Sequence, residues 1–131
     1  MNYNFEGIKI VSLNDKSSVS PDPKSELMDV VLDLSSYAPD EWADYFNSRW
    51  SSNLYGFKRT ASISGDKLKI RCELGELEKE HLPALKRAIA QANSFYHEML
   101  NSQRRADEAQ AAKVEQQNVQ LAELKKKLTF D

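Results

Sequence analysis

The chain has 131 residues, a net charge of −2 with basic and acidic side chains interleaved, and one cysteine. That length holds a single domain with room for an appendage. The charge balance gives no global attraction to nucleic acid or to an anionic membrane, and a lone cysteine cannot form an internal disulfide, which suits a reducing compartment and makes the cytoplasm the expected location.

The opening residues, Met1 to Gly7, lack the basic start and apolar run of a secretory signal, and no stretch approaches the roughly 20 apolar residues of a membrane span. Ile8 to Leu13 carry enough β-branched character for a short strand. From Asn14 to Glu26 the chain turns polar, with Ser17, Ser18, Ser20, Pro21, Pro23 and Ser25, a composition that predicts an exposed, flexible linker.

Leu27 to Leu34 alternates, with Met28, Val30, Leu32 and Leu34 facing one way and Asp29 and Asp33 the other, as in a strand with one buried face. Pro39-Asp40-Glu41 opens a helix well, since proline is tolerated in the first turn and acids suit the positive end of the dipole. In that helix Trp42, Phe46 and Trp50 stand four apart, so the aromatic face points inward. A loop is expected over residues 51–57, then a strand over 58–64. Gly65-Asp66 reads as a two-residue hairpin turn, and Lys67 to Leu74 as the returning strand, with Leu68, Ile70, Cys72 and Leu74 on one face. Gly75 ends the strand, and residues 76–81 form a helical turn before Pro83.

After Pro83 neither proline nor glycine recurs, and those residues break helices most strongly. Leu85, Ala88, Ile89, Ala92, Phe95, Tyr96, Met99 and Leu100 form one broad apolar face, wide enough to cover a sheet. The pattern thins over residues 101–113. It returns in narrower form at Val114, Leu121, Leu124 and Leu128, with Gln117 at the intervening position, and the spacing alternates as in a coiled-coil seam. A straight helix from Pro83 to Leu128 would run about 70 Å, and it is expected to protrude from a body whose radius of gyration is near 13 Å. Isolated helices are marginal in water, so a partner helix is expected, most simply the same segment of a second copy.

The predicted fold is therefore α+β: a small, mainly antiparallel sheet in β-α-β-β-α order, an incomplete ferredoxin-like arrangement, with helices on one face and a long C-terminal helix. Residues 1–26 are expected to form the short strand and Ser/Pro linker, 27–100 the compact domain, and 101–131 the protruding helical extension. The final strand of the full arrangement is missing, and the N-terminal strand or a second subunit would have to supply that edge.

Little in the sequence carries catalytic chemistry. The glycines stand singly at Gly7, Gly56, Gly65 and Gly75, so there is no phosphate-cradling loop. His81 and His97 lie sixteen residues apart, more than about 20 Å along a continuous helix. Glu78 stands three before His81, but no second Glu-x-x-His completes a carboxylate-bridged metal motif. Cys72 falls on the apolar side of its strand, as a small hydrophobe would. The open sheet face would carry Asp29, Asp33, Thr60, Ser62, Lys69, Arg71 and Glu73 without the strand aromatics on which RNA readers stack bases, which disfavours nucleic acid as a partner. Lys125, Lys126 and Lys127 suit a helix C-terminus without any partner.

No catalytic residue, cofactor or metal is expected. The function read from the chain is a non-enzymatic interaction or scaffolding module that self-associates as a dimer, or binds a partner helix, through Val114, Gln117, Leu121, Leu124 and Leu128. The competing classes are a small-molecule binder or enzyme with a cleft beside the Trp42 helix, and a weak nucleic-acid-binding module.

Overall fold

The computed structural model describes residues 3–52 and 59–130. The expected loop at 51–57 and the start of the expected strand at 58 therefore lie largely outside the described residues. The elements are β1 (Ile10–Val19), β2 (Met28–Leu34), α1 (Asp40–Ser52), β3 (Ala61–Ser64), β4 (Lys67–Cys72), a single α-turn α2 (Leu74–Glu76), a π-helical turn (Leu77–His81) and α3 (Leu82–Lys127). The fold is α+β. One antiparallel sheet has the order β1-β2-β4-β3. No helix among the described residues is long and apolar enough to cross a membrane.

The chain divides into two units, Phe5–His97 and a second made of Met1–Asn4 with Glu98–Asp131. In the first, the alternation read from the sequence is what builds the core. Val30, Leu32, Leu34, Leu68, Ile70, Cys72 and Ile63 enter one sheet face and meet Trp42, Phe46 and Trp50 of α1 and Leu85, Ile89 and Ala92 of α3. The three rings of α1 stack in sequence, with centroids 6.0 Å apart and planes within a few degrees of parallel. Trp42 and Phe46 are fully buried, so the rings fill the core. Each indole N–H finds an acceptor, Asn93 Oδ1 at 2.9 Å for Trp42 and the Arg59 carbonyl at 2.8 Å for Trp50, as buried Trp requires.

The hairpin forms where Gly65-Asp66 predicts it, with Ser64 opposite Lys67. Gly65 has φ +63° and no residue other than glycine has positive φ among the described residues, which is the pattern of a type II′ turn.

The N-terminal segment is the main departure from expectation. The strand continues through Val19 and pairs with β2 along the sheet edge, and residues 14–19, expected in the linker, belong to it. The register slips between Asn14 and Val19, and the serines that read as linker fill the gap. Ser18 Oγ accepts from the Val31 amide at 2.9 Å and donates to the Asn14 carbonyl at 2.7 Å, while the Ser17 amide donates to Asn14 Oδ1 at 3.0 Å. Side chains thus satisfy backbone groups that the interrupted ladder leaves over. Ahead of β1, Ile8 is buried in the core, and Phe5 sets its ring edge-on to Tyr96 and His97. The unit that holds the sheet runs from Phe5 to His97.

The helical run does not start at Pro83. Leu74 to Lys127 is helical throughout, with a widened turn at Leu77–His81 in which the Leu82 amide donates to the Leu77 carbonyl. A proline inside an α-helix clashes with the carbonyl four residues before it, here that of Lys79. The π-turn contains that carbonyl and provides the local widening.

Candidate partner-binding helix and polar clusters

The second unit contains the C-terminal part of α3. Every described residue from 101 to 130 is exposed. Val114 is 43% exposed, Leu121 62%, Leu124 49% and Leu128 48%, which are high values for aliphatic side chains. The helix has no break between them, so their four-three alternation becomes one stripe. Leu128 lies just past the last helical residue, but its amide still donates to the Leu124 carbonyl at 3.1 Å, which keeps it on that stripe. Gln117 stands exposed within it. Val119 is also exposed but falls five residues past Val114, off the stripe.

One contact in this unit has no local sequence signal. The Tyr3 hydroxyl donates to the Asp107 carboxylate, and that hydrogen bond, followed by desolvation and the carboxylate charge, raises the Tyr3 pKa. Asp107 is seven residues before Val114, the next equivalent position of the stripe. A tethered carboxylate therefore marks where the apolar run begins.

The first unit holds a polar cluster around Glu76. Arg59 binds both Glu76 oxygens, Nε to Oε1 at 3.1 Å and a terminal nitrogen to Oε2 at 3.0 Å. The Glu73 amide donates to Oε1 at 3.1 Å, and Nε2 of the buried His81 lies 3.3 Å from the same oxygen. The Arg59 hydrogen bond foremost, against a desolvation cost, holds the Glu76 carboxyl at about 2. Glu80 also approaches, so that Glu76, Glu80 and His81 bring a potential ligand atom each within 4.8 Å of one another. Glu78, the acid that the sequence spacing singles out, is not in the group. A guanidinium already engages both Glu76 oxygens, so the cluster as it stands is salt-bridged and ties the strand-to-helix connection to Arg59. The Glu76, Glu80, His81 spacing of four and five residues was the available signal; the part played by Arg59 is a tertiary contact. His97 is elsewhere, 5.0 Å from the Phe5 ring.

Cys72 is fully buried, and burial followed by the charge of Glu76 pushes its thiol pKa up. That is the opposite of an activated nucleophile. On the open sheet face, Arg71 holds Asp29 through two bonds, at 2.8 and 3.2 Å, and Lys67 holds Asp33 at 2.7 Å, with Ser12 and Asn14 also donating to Asp33. These donors lower both carboxyl pKa values, the Arg71 and Lys67 hydrogen bonds most of all. Asp29, Thr60, Ala61, Ser62, Lys69 and Arg71 line a shallow depression of about 250 Å³. Cross-strand ion pairs account for most of its charge.

No family model, no curated protein and no solved structure matches this chain.

Proposed function

We propose that this protein is a non-enzymatic interaction module that self-associates through the Val114, Gln117, Leu121, Leu124 and Leu128 stripe of α3. The observation that carries the reading is the exposure of four aliphatic side chains on one line of an unbroken helix. Such a line gains stability only by being covered. Fully burying each aliphatic side chain contributes about 1.5 to 3 kcal/mol, and lost translational and rotational freedom costs about 4 to 15 kcal/mol. Association through the stripe alone is therefore weak, and Gln117 sets register at a further cost in stability.

The polar clusters support the same reading. The charged groups best placed for chemistry are engaged with one another, Glu76 with Arg59 and Asp29 with Arg71, and the one thiol is buried. A lone, buried cysteine also fits a reducing compartment, and we place the protein in the cytoplasm. The strand order β1-β2-β4-β3 supports a ferredoxin-like arrangement in which β1, entering from the N-terminus, takes the edge that the missing final strand would occupy.

The test is the double substitution Leu121→Asp with Leu124→Asp, followed by light scattering across a concentration series. The wild-type mass rises toward the dimer with concentration and the variant stays at 15.0 kDa, the monomer mass. Identical curves for the two proteins would remove the stripe from the account.

A further inference from the structure

The side chains bordering the α3 stripe give it a chemical preference that goes beyond self-association, while resting on the same reading of the stripe as a helix-docking seam. We infer that the stripe takes as its partner a second amphipathic helix, one with an aliphatic seam and with Asp or Glu at the positions that border it.

With Val114, Leu121 and Leu128 in one seam position of the repeat and Gln117 and Leu124 in the other, the flanking positions are Arg104, Ala111, Asn118 and Lys125 on one side and Ala106, Lys113, Gln120 and Lys127 on the other. No acid stands among them. Apart from Asp107, which the Tyr3 hydroxyl engages, the acids along this part of α3 are Glu108, Glu115 and Glu123, and their places in the repeat put them on the half of the helix turned away from the seam. Lys113, Lys125 and Lys127 are exposed. None of the three forms an ion pair or hydrogen bond with any described residue. The helix dipole accounts for Lys125 and Lys127, since it favours cations in the last turn. It does not reach Lys113, about four turns earlier.

Flanking positions of two paired helices meet across the seam, and their charges choose the partner. A second copy of α3 covers the aliphatic side chains but brings no flanking acid in any register, parallel or antiparallel, so its lysines meet amides, alanines or other cations. A helix with acids at those positions gives Lys113, Lys125 and Lys127 a counter-ion each. The width of the stripe also points to a helix. It takes two positions per heptad with an amide in one of them, whereas a helix lying on a membrane surface buries a broad apolar face.

The test titrates the full-length protein into fluorescein-labelled synthetic helices that carry leucine at the seam positions, one glutamine to meet Gln117, and flanking positions that are all Glu, all Gln or all Lys. Fluorescence anisotropy at about 0.1 M salt is expected to give a Kd for the Glu peptide about tenfold below that for the Gln peptide, the order that three exposed ion pairs reach together, with the Lys peptide weakest. At about 1 M salt, where the screening length falls from about 10 Å to about 3 Å, the three should converge. The triple variant Lys113→Glu, Lys125→Glu, Lys127→Glu, its helix content checked by circular dichroism, should exchange the order of the Glu and Lys peptides. Equal binding of the Glu and Gln peptides overturns the inference, because flanking charge then selects nothing. A Glu preference unchanged in the triple variant overturns it too, by placing the contact elsewhere. So does a failure to bind any of the three, and sedimentation with phosphatidylserine vesicles would then assign the stripe to a membrane surface. Light scattering reads self-association separately. A mass that rises with concentration without a Glu preference refutes the acidic partner alone, and a monomer that binds the Glu peptide tightest refutes self-association alone.

Discussion

Asn93 is the side chain whose loss should cost the folded unit most for its size. Its Oδ1 accepts from the Ile8 amide and from Trp42 Nε1, each at 2.9 Å, and its Nδ2 donates to the Ile8 carbonyl at 2.9 Å. One amide thus pairs with the backbone of the N-terminal segment as a neighbouring strand would, and also satisfies the indole of the central core residue. In Asn93→Ala these three groups lose their partner together. Trp42 is fully buried, so its N–H cannot turn to water and bears the penalty of an unsatisfied buried donor, about 1 to 3 kcal/mol. The Ile8 groups face an open hollow bordered by Glu6, Gly7, Lys9 and Ser35, where water replaces part of what is lost, leaving about 0.5 to 1.5 kcal/mol for each bond. Since the three share one side chain they do not simply add, and the expected destabilisation is about 3 kcal/mol. Urea unfolding followed by tryptophan fluorescence measures it. Hydrogen exchange at the Ile8 amide should accelerate beyond the global effect, because the segment loses its anchor. A variant within about 0.5 kcal/mol of wild type, the usual range for an ordinary surface change, would refute the assignment of Asn93 as that anchor.

Glu76 should make stability fall with acid. Its folded pKa of about 2 lies below the ordinary 4.5, so its contribution is fully present above pH 4.5 and is lost as the pH falls toward 2. Urea titrations at intervals over that window should show a shallower decline for Glu76→Gln than for wild type, and parallel curves would exclude the Arg59 pairing as the cause. Cys72, buried and with its thiol pKa raised, should react with a thiol reagent at least a hundredfold more slowly in the native protein than in urea. Comparable rates would place it at the surface. Gly65→Ala should destabilise by about 1 to 2 kcal/mol, the penalty for a side chain in left-handed backbone; at φ +63° the added Cβ would also stand 3.1 Å from the Tyr37 ring. Thermal melting would show a lowered midpoint, and an unchanged one would mean the turn is not of this type.

Several elements follow from the sequence alone because their signal is local. Leu68, Ile70 and Cys72 alternate with charged residues and pack on one face of β4. Trp42, Phe46 and Trp50 recur at helical spacing and enter the core from α1. The absence of glycine and proline after Pro83 leaves α3 nothing to interrupt it. In each case a side chain's destination is set by neighbours within a few positions, so the period of the chain carries the answer.

Tertiary structure decided the rest, and in each instance the deciding partner is distant in sequence. Residues 14–19 have the composition of a linker and become strand because β2 offers an edge and Ser18 Oγ reaches the Val31 amide. Ile8 joins the core through an asparagine 85 residues away. Glu76 is one acid among several until Arg59 closes on it from 17 residues earlier. Periodicity describes which face a residue takes on its own element, whereas hydrogen bonds and ion pairs between elements depend on where the chain returns, and that is settled only when the core forms.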